Sequence, residues 1–505
     1  MPPVLNYPGV YIEELPSAVH TITGVATSIA AFVGTAPQGS VIKAVLVQSW
    51  MDFAREFGGL VSTSYLGYAV NQFFGNGGQQ AYIVRLVGTG FKSASATVGG
   101  LQLFANSPGL WADGLQVAVT PTSGGFTLEV QDSSGNVLET FLNLTATSAI
   151  AVIDNDSQYV TFVNPTLNPP AAPPSITVPG AAATGTLAGG NDGSPLMPKD
   201  GINGNGDFES ALNTSGTATN GVVYGIHLLD QVDIFNLLCV PGEADETTIP
   251  LLENYCQTER AFYIVDCPQT ATVANLGTGP IGAAGTALAG SNNDHGAYYF
   301  PWVQAPDPLA NNRPRLFPPS GFVAGIYAET DAGRGVWKAP AGINASLNGV
   351  MGLQYVLTDL NNGTLNPQAV NCLRQFRVYG NVVWGARTLQ GADAFGSQWK
   401  YVPIRRLALY LESSLYEGTQ WVVFEPNDET LWGQIRLNVG SFMQGLFLQG
   451  AFQGTTPQQA YFVKCDSENN PQASIDQGIV NILVGFAPLY PAEFVVIQIQ
   501  QMAGQ

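Results

Sequence analysis

The sequence predicts a multi-domain protein of mixed α/β class: α/β core domains, an inserted β-rich domain, and extended N- and C-terminal β-strand arms. Three observations lead there. The chain has 505 residues, too many for one hydrophobic core, which points to two to four domains. Strand-like and helix-like runs alternate over 21–92 and again beyond 216, whereas helical periodicity disappears over 93–165. Both ends of the chain carry short strand-like runs set off by prolines.

Composition narrows the function classes. Hydrophobic residues make up 45% and charged residues 11%, less than half the usual charged share of about 25%. The 58 glycines and 33 prolines suit many loops and strands. A net charge of −19 with no basic stripe argues against a nucleic-acid partner, because phosphate binding needs clustered Lys and Arg. The excess is uneven: −14 over residues 1–250 and −5 over the rest. A nearly balanced C-terminal half suits a surface that meets copies of itself, and charges more than about 8 Å apart are largely screened at physiological salt. Cys239, Cys256, Cys267, Cys372 and Cys465 form no CxxC pair, so the expectation is reduced cytosolic thiols and no zinc. No basic-then-apolar leader and no run of 18 apolar residues occurs, so neither a signal peptide nor membrane insertion is expected.

Residues 1–20 read as an extended arm. Pro2, Pro3, Pro8 and Pro16 exclude a helix, and Val10, Tyr11, Ile12 and Glu13 form a short strand between them. Two readings stand: a disordered terminus, or strand addition to a neighbour's sheet edge. Residues 21–92 form a small α/β domain with strands at 25–34, 44–49 and 81–86 and helices at 52–57 and 66–74.

Residues 93–215 form the insertion, with strands at 115–120, 126–131, 137–144 and 159–163 and hairpin signals at Gly124–Gly125 and Gly135–Asn136. Its last part, 165–215, is rich in Pro, Ala and Gly and reads as a linker. GGNDG at 189–193 with Asp200 and Asp207 invites a calcium reading, but Ile202 stands where an oxygen ligand is needed, leaving plain turns.

Residues 216–344 return to α/β. A strand at 235–240, a helix at 248–258 and a strand at 261–266 make one parallel β-α-β unit. Glu243, Asp245 and Asp266 lie at the carboxyl ends of its strands, where ligands bind, yet no glycine-rich phosphate loop follows the first strand. Near its end comes FPPSGFVAGIYAETDAGRGVWKAPAGIN, 317–344. Ser320 after two prolines reads as an N-cap, Val323, Ile326 and Tyr327 keep helical spacing, and Ala324 with Gly325 allow a close helix contact. Asp331 to Gly335 breaks the helix with charge and glycine.

Residues 345–505 carry a helix with Ile404, Leu407, Ala408, Leu411 and Leu415 on one face, closed by Gly418. A strand at 421–424 follows, then a helix capped by Asn427 with Leu431, Ile435, Val439, Phe442 and Leu446 in phase. Strands at 461–465 and 480–486 precede the final arm, 490–505. There Phe494, Val495, Val496, Ile497, Gln498 and Ile499 form an alternating strand that Pro488 and Pro491 separate from the rest. It either pairs within its own sheet or swings out to a neighbour.

No catalytic constellation is expected. Of three histidines, His20 lies in the arm, His227 in an apolar context, and His295 beside Asp294, which could orient it as a base near Cys239 and Cys267. No GxSxG or HExxH occurs. The expected catalytic, metal and cofactor sets are therefore empty. A carbohydrate-binding or adhesin-like module is the competing reading, with its activity in residues 93–215.

The wording of several segments adds to this. PPSGFVAGIYAETDAGRGVWKAPA (318–341) resembles the most characteristic stretch of contractile tail sheath proteins. YPGVYIEE (7–14), GVATSIAAFVGTAPQG (24–39), YAVNQFFGNGG (68–78), AYIVRL (81–86), SPGLWADGLQVAV (107–119), NLLCVPG (236–242) and YYFPW (298–302) are similar to sheath sequences too. The likeness is weakest over 93–215. It implies a subunit stacked as hexameric rings in a helix around an inner tube protein, bounded by baseplate and tail-terminator or cap proteins. It implies that each terminal arm adds a strand to a different neighbour, and that contraction needs no nucleotide. It also implies assembly in a bacterial cytoplasm, for a phage virion tail or an intracellular or extracellular contractile injection particle. Lys400, Arg405 and Arg406 offer positive charge toward the tube, or else form a solvated helix start.

Overall fold

The structure is a computed structural model that describes residues 20–166, 173–212, 224–288 and 293–499. Two compact units emerge, residues 26–406 and residues 407–505 together with 1–25.

The larger unit opens with β1 (Ala30–Thr35), β2 (Val45–Val47), α1 (Trp50–Phe57), α2 (Leu66–Gly75) and β3 (Ala81–Leu86), in the expected order. The insertion contains β4 (Ser95–Val98), β5 (Leu101–Ala105), β6 (Gln116–Thr122), β7 (Gly125–Gln131), β8 (Val137–Leu144), α3 (Ala149–Asp156), β9 (Val160–Thr161) and β10 (Ala183–Thr186). A short α4 (Asp207–Leu212) leads to β11 (Leu237–Cys239), α5 (Thr248–Glu259), β12 (Phe262–Asp266), β13 (Gly296–Phe300), β14 (Val303–Asp307) and β15 (Arg313–Phe317). Then come α6 (Ser320–Arg334), β16 (Gly352–Leu353), α7 (Asp359–Leu365), β17 (Val370–Phe376) and β18 (Gly380–Val383).

Eight strands make the central sheet, in the order β18-β17-β13-β12-β11-β1-β3-β2. The six inner strands are parallel and the two edge strands antiparallel. Parallel sheets are covered on both faces, so their strands read as continuous apolar runs. Every residue of β12 (FYIVD) and β13 (GAYYF) is buried accordingly. The β11-α5-β12 unit is the parallel unit read from the sequence.

The insertion is β-rich, with sheets ordered β10-β6-β7-β8 and β4-β5-β9 around Val117, Val119, Phe126, Leu128 and Leu187. Gly124 (φ 95°) and Gly135 (φ 85°) turn its two hairpins, as expected. Two expectations need correction. The segment 93–165 does hold a helix, α3, whose Ala149 and Ile153 are buried. The presumed linker supplies β10, which pairs with β6 in the register Ala183↔Val119. Its glycine and threonine content hid a strand that owes its existence to its partner.

Helix α6 departs from its sequence reading at both ends. Pro319 takes the cap position, and Ser320 is the first helical residue. Its N–H and its hydroxyl both donate to Asp266, at 2.7 Å each. The helix continues through Asp331 to Arg334, because the Asp331 carboxylate is buried and takes two bonds from Arg406, at 2.9 and 2.6 Å. The close helix contact is present. A Cβ on Gly321 would lie 2.6 Å from Ala69 Cα, and one on Gly325 2.8 Å from the Phe73 carbonyl, so α6 rests on the α2 backbone.

The smaller unit contains α8 from Leu407 onward (the helix spans Val402–Gly418), α9 (Glu429–Leu448), β19 (Tyr461–Lys464) and β20 (Leu483–Phe486). The residues expected as a strand at 421–424 instead form a 3-10 turn at Gln420–Val422. Phe424 has φ 71° and points fully into solvent. An apolar, β-prone run has no reason to be a strand without a ladder partner. Asp428, not Asn427, caps α9 by accepting the Leu431 N–H, while Asn427 accepts from Trp432 Nε1. Leu431, Ile435, Val439 and Leu446 are buried as expected, but Met443 rather than Phe442 completes the stripe.

Candidate functional site

The groups that could do chemistry are occupied. His295 stands on the short turn before β13 and is buried. Its Nδ1 lies 2.9 Å from Asp294 and its Nε2 2.8 Å from Arg405 Nη2. A guanidinium only donates, so Nε2 accepts, and the proton sits on Nδ1 facing Asp294. Both ring nitrogens are thereby engaged. Burial opposes charge on Asp294, but the adjacent His295 and Arg405 hold its carboxyl below the usual range. All five cysteines are buried and unpaired. Burial pushes the thiols of Cys239 and Cys267 up, away from the nucleophilic thiolate. Among the described residues no group of three His, Cys, Asp or Glu is placed to hold a metal. Nor is any helix among them long and apolar enough to cross a membrane.

The acids at the carboxyl ends of the parallel strands serve the fold. Asp266 accepts from Gly242 N–H and from both donors of Ser320. Burial still pushes its carboxyl up to about 7. Glu243 is completely buried and accepts the Asp245 N–H at 2.7 Å. Burial first, and the facing Glu209 carboxylate second, push Glu243 well above the ordinary carboxyl value. Asp245 goes the other way. Although burial opposes it, Lys199 at 2.7 Å with the Thr247 and Thr248 hydroxyls brings it to about 2. Asp200, the calcium candidate, accepts the Ile202 and Asn203 N–H groups and the Tyr65 hydroxyl, which makes a capped turn.

A cleft of about 410 Å³ opens by the ends of β1 and β3, lined by Thr35, Ser64, Leu86, Asp192 and Met197. Arg85 borders it but is committed: its guanidinium donates to the carbonyls of Ala36, Pro37, Gly39 and Pro108 at 2.8–3.1 Å.

The three cations singled out for a tube surface have different fates. Arg405 and Arg406 are buried. Arg405 bonds His295 and stacks on Trp399. Arg406 bonds Asp331 and the Thr27 carbonyl and lies over Tyr327. Neither guanidinium is presented to a partner, because the structure around α8 needs both charges neutralised. Lys400 is partly exposed and pairs with Asp393 at 2.7 Å. Any outward positive charge in this trio therefore rests on Lys400.

The terminal segments expected to be strands are not seen as strands. Val10, Tyr11, Ile12 and Glu13 lie outside the described residues. Residues 491–499 are described and belong to no strand. Phe494, Val495, Val496, Ile497 and Ile499 are 76, 82, 82, 79 and 92% exposed, and Gln498 is exposed too. Burying each apolar side chain would contribute roughly 1.5–3 kcal/mol, so this segment leaves substantial apolar area uncovered by the described residues.

The unit also holds a small sheet. β19 and β20 form a two-stranded antiparallel sheet, Tyr461↔Phe486 to Lys464↔Leu483, and among the described residues neither has a second strand partner. One face lies on α9, with the Tyr461 hydroxyl 2.9 Å from Gln444. The other carries Phe462 and Leu483, each 53% exposed. Two strands alone are marginal, and each free edge is a template for a third. Sequence reading found both strands but not that they stand alone. No local signal distinguishes a sheet of two from part of a larger one.

Comparison with known proteins bears on family and fold. The family model described as phage tail sheath protein central domain matches residues 229–389, and that of the phage tail sheath C-terminal domain matches 396–502. Together they span more than half of the chain. A protein described as a putative prophage major tail sheath protein of Pseudomonas aeruginosa (strain UCBPP-PA14) is 28% identical over 281 residues. That match covers 53% of this chain and 66% of the relative, just under two thirds of its length. Among solved structures, the contracted PVC sheath complex of an extracellular contractile injection system is similar at TM-score 0.60 and 24% identity, covering 99% of this chain and 98% of that one. The helical sheath of the anti-feeding prophage, also contracted, is similar at TM-score 0.58 and 23% identity, covering 99% and 100%. At such identities these likenesses show the fold.

Proposed function

The chain belongs to the contractile tail sheath family, and from that premise we propose that it is the structural subunit of a contractile sheath. Many copies polymerise around an inner tube and contract to drive it through a target envelope. The carrying observation is a sheet that has two strands among the described residues, in the same unit as an exposed apolar tail. An arm from one neighbour on each edge turns two strands into four, and linked arms keep subunits joined while they slide and rotate. Contraction then releases free energy stored in a metastable lattice, with no nucleotide and no catalysis by the sheath. The partners on this reading are further copies in stacked hexameric rings, an inner tube protein, a baseplate and a terminal cap. A bacterial cytoplasm is the place of assembly, and a phage tail or an injection particle the product. The likeness over nearly the whole chain to a sheath from an extracellular contractile injection system supports the particle reading.

Negative-stain electron microscopy of the overexpressed full chain tests this directly. Striated tubes or short hollow cylinders are expected. Chains lacking residues 1–16 or 491–505 should stay folded and monomeric. Normal sheaths from either truncation would refute the role of that arm, and glycan binding by residues 93–215 without any polymer would favour an adhesin.

A further inference from the structure

We propose that residues 20–25 form a seat that sets where the N-terminal arm leaves the smaller unit, which makes Ile22, Gly24 and Gly418 positioning residues for polymerisation. The inference rests on the sheath reading and deepens it.

The seat is built contact by contact along α8. The Val25 N–H donates to Ser414 Oγ at 3.2 Å. Gly24 lies so close to Tyr410 that a Cβ there would overlap the phenol hydroxyl. Ile22 is 6% exposed and covers Gly418, whose Cβ, if present, would fall 2.5 Å from Ile22 Cγ2. His20 then stacks on Trp421 with ring centroids 4.2 Å apart and planes 14° apart. Tyr410, Ser414 and Gly418 are four residues apart, so they line one stripe of the helix. The segment runs along that stripe in the opposite direction, ending on the aromatic ring just past the helix.

Glycine stands at both closest approaches, one on each partner. Its use at Gly418 is informative. Alanine is the better helix former, so helix propensity alone would favour replacing it. Keeping glycine makes sense where a side chain must lie across that point. The chain thus reaches residue 20 with a defined position and heading, on the same unit that holds the β19–β20 sheet and the exposed tail. Both links to neighbours and the receiver for theirs are then carried by one unit, and the reach of the N-terminal arm is measured from a fixed point.

Gly418→Ala in the full chain tests this, alongside Ile22→Ala/Gly418→Ala. The single variant should keep the parent's thermal melt yet form no sheaths where the parent forms them. The double variant, which removes the side chain that the new methyl meets, should restore them. Sheaths from Gly418→Ala as abundant and regular as the parent's would overturn the seat while leaving the sheath reading intact. A single variant that melts lower, with a double variant that remains unassembled, would mark the contact as merely structural and also overturn it. A parent that forms no sheaths even with the inner tube protein present would remove the sheath reading, and this inference with it.

Discussion

In residues 26–406 the central sheet has eight strands, and β12 and β13 at its middle are buried throughout. In residues 407–499 the corresponding element is two strands of four residues, with Phe462 and Leu483 half in solvent and a tail of five large apolar side chains beyond. The first region meets buried charge from within itself, as Arg406–Asp331 and the four carbonyls on Arg85 illustrate. The second leaves strand edges and apolar area on offer. A part that must hold its shape through a large rearrangement is best closed. A part that must join neighbours is best left incomplete, so that association supplies the missing burial.

That contrast can be broken at its strongest point first. Asp331→Ala strands the buried Arg406 guanidinium, and losing one partner of a buried pair typically costs about 3–5 kcal/mol. Urea unfolding of the monomer should register a loss of that size. A loss below about 1 kcal/mol would mean that water reaches Arg406 and that the larger unit is less closed than described.

A pH series sharpens the picture of buried acids. Burial raises Glu243, so the folded state holds its proton after the unfolded chain has released it. Such a group contributes most below the unfolded carboxyl value of about 4.3, and its contribution is lost as pH rises through the folded value. Glu243→Gln removes that dependence and can donate to Glu209. Its stability advantage over the parent should therefore grow from pH 4 to pH 8. An advantage that is the same at every pH would show that Glu243 does not titrate on unfolding.

The smallest effect is expected in the smaller unit. Leu483→Ser on the outer face of β20 should leave monomer stability within about 0.5 kcal/mol, as surface changes usually do, while reducing sheath yield. A large drop in stability would show that this face is already packed, and the comparison between the two units would fail there.

Much of this was legible from local chemistry. The parallel β11-α5-β12 unit, the hairpin glycines 124 and 135, the α8 face and the close approach at Gly325 follow from apolar runs, turn residues and spacing. The terminal tail read as a strand, yet residues 491–499 belong to none, and what was legible is its apolar composition. Two of the errors share one cause. Trp421–Phe424 has the composition of a strand and no ladder partner, whereas β10 has the composition of a loop and gains one in β6. Strand formation depends on pairing, which local sequence does not carry. Asp331 looked like a helix breaker because its partner Arg406 is 75 residues away.

By itself, then, the sequence determined the class, the element order over residues 30–86, the β11-α5-β12 unit and the family likeness, all of which rest on short-range periodicity and wording. Only the tertiary structure decided which charges are hidden, that β19 and β20 have no further strand partner among the described residues, and that His20–Val25 lie along α8. Those outcomes depend on residues distant in sequence meeting in space, up to 389 positions apart for Val25 and Ser414. Burial, which sets the cost of an unpaired charge and the value of an exposed side chain, exists only after they have met.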